Sequence, residues 1–190
     1  CHVAGGAKPQ ALQAAANDIC YRCHSAVKVA AQKPDAHKAL GKGCVTCHTP
    51  HAADEKGLIK GNDERRVCLS CHKETKAHME KSRSIHPLKA EGGRCTICHA
   101  PHRSDHPKLM KAPSTKVCGS CHSGHAQFGH PTGENVIDPR TGKAMTCLSC
   151  HNPHGSQQVA ILLDNPKRAL CMQCHTGDED HSDPKRMMGR

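Results

Sequence analysis

The stretch from Cys44 to His72 reads CVTCHTPHAADEKGLIKGNDERRVCLSCH. It holds two Cys-x-x-Cys-His motifs, the first extended to His-x-Pro-His and followed by sixteen residues before the second. The pattern returns as CTICHAPH at Cys95–His102 with CGSCH at Cys118–His122. It returns again as CLSCHNPH at Cys147–His154 with CMQCH at Cys171–His175. A half copy, CYRCH at Cys20–His24, stands in front. Seven motifs therefore use fourteen of the fifteen cysteines in 190 residues. The first motifs recur at intervals of 51 and 52 residues and the second motifs at 50 and 53. A period of that size signals a stacked array of similar units.

Cys-x-x-Cys-His is the attachment pattern of c-type haem. Two thiols bond the two vinyl groups of one macrocycle, and the following His becomes the proximal iron ligand. The thiol set is Cys20, Cys23, Cys44, Cys47, Cys68, Cys71, Cys95, Cys98, Cys118, Cys121, Cys147, Cys150, Cys171 and Cys174. The proximal set is His24, His48, His72, His99, His122, His151 and His175. Three other chemistries use Cys-x-x-Cys. A structural zinc site matches the spacing between Cys47 and Cys68 but needs no His after every second Cys. A thioredoxin-like pair needs one motif inside a βαβ unit. A disulfide framework leaves the histidines unexplained. Seven iron-bearing c-type haems are the reading that uses all of these residues.

With these motifs the chain resembles the multihaem c-type cytochromes with doubled CXXCH motifs, from about Cys20 to His175. That family includes periplasmic and outer-surface electron-transfer cytochromes and subunits of extracellular cytochrome filaments. The resemblance implies electron transfer and a place outside the cytoplasm: periplasmic, anchored at the outer membrane, or extracellular. It implies other cytochromes, quinol-linked redox proteins or further copies of the chain as partners.

Composition agrees with a chain built around its cofactors. Lys and Arg number 27 against 17 Asp and Glu, a formal charge of +10. Taken alone, this excess suggests nucleic acid or an acidic surface as partner. The haem propionates offset most of it, so no nucleic-acid partner is inferred. Leu, Ile, Val and Phe total 25 of 190 residues, with one Tyr, one Phe and no Trp. A peptide of this kind cannot bury enough apolar side chain to fold alone. The expected fold is mostly irregular, with short α-helices, little or no sheet, and a backbone wrapped around a stacked haem row.

The expected organisation is one elongated unit made of a half repeat at 1–31 and repeats at 32–79, 80–125 and 126–190. Residues 10–31 predict helix on both sides of the first motif, ended by Pro34. Asn62-Asp63, Ser114 and Asp164-Asn165-Pro166 read as helix starts. Lys73–Ser84 predicts a short exposed helix, and Thr132–Met145 a loop. No apolar run is long enough to span a membrane. Cys1 lies outside the motifs; it reads as a lipid-anchor site or a disulfide partner.

Function turns on the second axial ligand. A carrier caps every iron, whereas a catalytic haem keeps one face open. Seven distal candidates recur at fixed places: His37, His86 and His130 before the first motifs, and His51, His102 and His154 in the His-x-Pro-His extensions. His2 stands at the matching place before Cys20. Taken in chain order, His2, His37, His51, His86, His102, His130 and His154 cap haems one to seven. His78, His106, His125 and His181 remain, most of them read as surface residues; His125 is a competing distal candidate, because it lies three residues after His122, the offset found in His-x-Pro-His. The leading reading is electron hopping along bis-His haems. The alternatives are a reductase of nitrite, hydroxylamine or a sulfur oxyanion with one open haem, and an electron store.

Overall fold

Every motif folds into one closed turn. The backbone N–H of its His donates to the carbonyl of its first Cys at 2.9–3.0 Å, from His24 on Cys20 through His175 on Cys171. That single i→i−4 bond brings both thiols and the ring to one side of the turn. The computed structural model describes residues 1–5, 8, 10–86, 93–123, 132–167 and 169–175.

The two kinds of motif differ in what surrounds that turn. Second motifs end α-helices: α1 (Ala16–Tyr21), α3 (Glu64–Cys71), α5 (Ser114–Gly119) and α6 (Ala169–Met172). First motifs start with 3-10 turns at Cys44–Thr46, Cys95–Ile97 and Cys147–Ser149, each entered from an extended or glycine residue. Helix α2 (Ser25–Ala31) follows His24, so helix flanks the first motif on both sides, beginning at Ala16. The charged stretch after His72 forms α4 (Lys73–Lys81) as predicted. Asp63 caps α3 by accepting from Arg66 N at 2.9 Å. Ser114 is the first residue of α5 rather than its cap.

The chain divides into two compact units, Cys1–His72 with Leu88–Ala112, and Lys73–Pro87 with Pro113–Arg190. In the first unit each second-motif helix packs on the first-motif turn of the next repeat. Helix α1 meets Cys44–Thr46, and Asn17 Oδ1 accepts from Cys44 N at 2.9 Å. Helix α3 meets Cys95–Ile97 through Glu64, which is 6% exposed. Its carboxylate accepts from Thr96 N (2.8 Å), Thr96 Oγ1 (2.7 Å) and Arg94 Nε (3.2 Å). Burial alone would raise the Glu64 pKa, but the bonds from Thr96 and Arg94 outweigh it and hold the group ionised. In the second unit α5 meets Cys147–Ser149 in the same way. The packing unit therefore straddles the sequence repeat.

The segment Thr132–Met145, expected to be a loop, is a small antiparallel hairpin of β1 (Gly133–Asp138) and β2 (Lys143–Met145). Its turn closes when Thr141 N and Gly142 N donate to Asp138 O, with Gly142 left-handed at φ 67°. Gly133–Asp138 places Val136 beside Ile137 instead of alternating, and Lys143–Met145 is only three residues, which explains the loop reading. Asp138 is 2% exposed and accepts from Arg140 N, Nε and Nη2 at 2.7–3.0 Å. Arg140 also donates to Ser149 O (2.6 Å) and Gln173 Oε1 (2.5 Å), which ties the hairpin to the last two motifs.

The Arg140 guanidinium holds the Asp138 carboxyl down to about 2. A depressed carboxyl pKa contributes stability above its unfolded value of about 3.9, and that stability is lost as pH falls through the folded value. Wild type should therefore be more stable than Asp138→Asn by a constant margin above pH ~5, a margin that shrinks between pH ~4 and ~2. Denaturant midpoints of the two proteins across that range check it; a pH-independent difference contradicts it.

Among the described residues the side-chain core is nearly absent. Met145 is the buried hydrophobic residue, while Val29, Val159, Ile137 and Leu163 are all about half exposed or more. No helix among the described residues is long and apolar enough to cross a membrane.

Candidate haem centres

Three first-motif histidines are held in one way. His48 Nδ1 faces Gly57 O at 2.6 Å, His99 Nδ1 faces Lys108 O at 2.9 Å, and His151 Nδ1 faces Ala160 O at 2.9 Å. A carbonyl only accepts, so Nδ1 carries the proton and Nε2 is left with its lone pair. This is the arrangement that orients a metal-binding imidazole and raises its basicity.

The carbonyl is delivered by a loop that returns to its own motif. Thr49 N donates to Leu58 O (2.8 Å) and Lys60 N to Cys47 O (2.9 Å). The equivalents are Ala100–Leu109 and Lys111–Cys98, then Asn152–Ile161 and Leu163–Cys150, at 2.7–2.9 Å. At the apex Leu58, Lys108, Leu109, Ala160 and Ile161 all take left-handed backbone with φ of 52–58°. Non-glycine residues adopt that region at a cost, and its recurrence at one place marks a shared constraint. These carbonyl acceptors were missed in the sequence. Their signal was the repeated apolar pair ten and eleven residues after the His: Leu58-Ile59, Leu109-Met110 and Ile161-Leu162.

The distal candidates come to rest against rings, though not those of the chain-order assignment. His37 faces His72, with ring centres 6.0 Å apart and planes at 11°. His102 faces His48 at 5.9 Å and 39°. His86 faces His122 at 5.8 Å and 84°. Chain order had paired His37 with His48, His86 with His99 and His102 with His122. His51 faces His2 at 6.0 Å and 25°. His154 is exposed, and its backbone N–H donates to Asn152 Oδ1 at 3.0 Å. His24, also exposed, precedes α2. His175 lines a cavity of about 100 Å3 with Cys171, Cys174, Met145, Leu170 and Arg140. His130, His125 and His181 lie outside the described residues. His78 is used structurally: its Nε2 donates to Gly155 O at 2.8 Å.

These separations suit an iron. An imidazole nitrogen sits about 2.0–2.1 Å from a first-row metal ion. Two imidazoles on opposite faces of one iron, with roughly 1 Å more to each ring centre, put those centres about 6 Å apart. Burial, then the facing ring, pushes the His37 and His86 pKa values down, which keeps both rings neutral. His102 shifts down for the same reason, with His48, His37 and His24 all adding to it. His86 Nδ1 is buried without a hydrogen-bond partner among the described residues. No three of His, Cys, Asp and Glu are gathered as a metal cluster among the described residues, so no tetrahedral zinc site is formed there.

The thiols of successive motifs adjoin. Cys44 lies beside Cys20, and Cys68 beside Cys95. The Cys95 thiol and then burial push the Cys68 thiol up. Cys47 is raised by burial and by Cys71 beside it. In the second unit Cys150 lies beside Cys171 and Cys174.

The family described as "Doubled CXXCH motif" matches residues 37–77, 86–127 and 139–180, well over half of the chain. The chain belongs to this family. Its cofactors are c-type haems, as the doubled CXXCH motif implies. Multiheme cytochrome MtrA of Shewanella baltica is 38% identical over 167 residues, covering 85% of this chain and 46% of that protein. Multiheme cytochrome MtrC of the same organism is 27% identical over 74% of this chain and 23% of its own length. C-type polyheme cytochrome OmcC of Geobacter sulfurreducens is 25% identical over 90% of this chain and 27% of its own length. The chain thus spans less than half the length of these relatives.

Proposed function

We propose that the chain is an electron conduit carrying seven c-type haems, one on each of its Cys-x-x-Cys-His motifs. The observation that carries this reading is that successive motifs adjoin. In the first unit Cys20 meets Cys44, Cys47 lies near Cys71, and Cys68 meets Cys95. In the second, α5 packs on the Cys147 turn and Cys150 lies beside Cys174. Centres held so close along the chain form a path for hopping within each unit.

Each bound haem iron supplies one-electron exchange between its ferric and ferrous states. The chain does the rest. Gly57 O, Lys108 O and Ala160 O fix the tautomer of His48, His99 and His151. The facing pairs His102 and His48, His37 and His72, and His86 and His122 are the residues that would hold an iron between them. Two imidazoles hold an iron in one geometry in both oxidation states and keep small molecules off it. The same residues therefore favour a carrier over a reductase.

Partners follow from this reading and from the names of the relatives, which are themselves cytochromes. The chain exchanges electrons with other multihaem cytochromes outside the cytoplasm, in the periplasm or at the outer membrane.

A potentiometric titration tests the reading. Bis-His ligation without Met predicts that the haems titrate at negative potentials in one broad envelope. Most haems titrating at clearly positive potentials, or rapid carbon monoxide binding by the reduced protein, would sink it.

A further inference from the structure

His2 was expected to be a distal ligand. Its surroundings are those of a proximal one. Val3 N donates to Ala11 O at 2.9 Å, and Gln13 N donates to Cys1 O at 2.9 Å. These two bonds repeat Thr49–Leu58 with Lys60–Cys47, Ala100–Leu109 with Lys111–Cys98, and Asn152–Ile161 with Leu163–Cys150. His2 bridges Leu12 as His48 bridges Ile59, His99 bridges Met110 and His151 bridges Leu162. His2 Nδ1 faces Gln10 O at 3.2 Å, in the place of the carbonyls that orient the other three rings. Cys1-His2 is thus superposed in role on Cys47-His48, Cys98-His99 and Cys150-His151. The spacing agrees: His2 lies 18 residues before Cys20, and the other three lie 19 or 20 before Cys68, Cys118 and Cys171.

The ring partner is an independent observation. His102, the second His of its His-x-Pro-His, faces the first-motif His48 of the preceding repeat. His51 is the second His of the extension one repeat earlier, and it faces His2. Their separations, 5.9 and 6.0 Å, are alike.

We infer that Cys1, His2 and His51 form a further c-type haem site beyond the seven motifs, with Cys1 as a thioether thiol, His2 as the proximal ligand and His51 as the distal one. This rests on the conduit reading above. The Cys1 S–H adds across a vinyl group: sulfur bonds the inner carbon, hydrogen goes to the outer one, and no electron is gained or lost. In the three parallel segments the partner thiol stands three residues earlier, at Cys44, Cys95 and Cys147; for Cys1 that position lies ahead of the first residue of the sequence. A thiol spent on a thioether cannot also carry a lipid, so this assignment replaces the lipid anchor expected at Cys1.

Peptide mapping of the native holoprotein tests it. The peptide containing Cys1-His2 should carry the mass of a haem. A diacylglyceryl group, a disulfide or a free thiol at Cys1 overturns the inference. The variant His51→Ala, with His102→Ala as its control, reads out the axial pair by electron paramagnetic resonance. Each should convert one haem's worth of low-spin ferric signal to high-spin. If His102→Ala does so and His51→Ala does not, this site is wrong and the conduit reading stands. If neither does, the axial pairs of the conduit reading fail with it.

Discussion

Replacing His37 with Ala turns one haem high-spin, and that haem is the one on Cys68–His72. The ring of His37 faces His72 at 6.0 Å with planes 11° apart, although His48 is much nearer in sequence. Loss of the imidazole opens that iron to water and to carbon monoxide, while the remaining pairs are untouched. One haem's share of the low-spin signal should disappear, and carbon monoxide should bind at one site per chain. The haem is identified by a second substitution. The spectral change should add to that of His48→Met, because distant, independent sites are additive. With His72→Met it should not add, because both changes then fall on one iron. Additivity with His72→Met and its failure with His48→Met would restore the chain-order assignment.

The second large effect is on folding. The polypeptide has almost no side-chain core among the described residues. Its apolar side chains face outward, with Val29 57% and Val159 69% exposed, and Met145 is the buried hydrophobic among the described residues. Burial at roughly 25 cal/mol per Å2 then leaves too little to offset an ordering cost of about 1–2 kcal/mol per residue. The chain made with its motif cysteines changed to Ala should show the far-ultraviolet spectrum of a disordered chain and no cooperative melt. The holoprotein should melt cooperatively, because cofactor attachment is then folding free energy. A cooperative transition in the haem-free chain would contradict this account.

The fold class was readable because composition and motif spacing act locally. Fourteen cysteines in seven identical patterns name the cofactor, and a low count of Leu, Ile, Val and Phe says that side chains alone cannot make the core. The cap at Asp63 and the helix after His72 are also local signals, and both appear. Which histidine rings face one another was not readable. His102 reaches back 54 residues to His48, and His37 reaches forward 35 to His72, so neighbours in sequence are the wrong guide. Nor does the sequence distinguish the 3-10 turns of the first motifs from the helices of the second. That difference depends on the residue entering each turn, such as Gly43 at φ 100°, and on helices arriving from the repeat before. The hairpin at Gly133–Met145 depends on Arg140, whose bonds join Asp138 to Ser149 and Gln173 across 9 to 33 residues.

An anomalous-scattering map at the iron edge, from crystals of the holoprotein, tests the axial pairing directly. The account predicts one iron between the rings of His48 and His102, one between His72 and His37, and one between His122 and His86. Irons bridging His48 to His37 and His122 to His102 instead, or irons with a single imidazole and an open face, would contradict it.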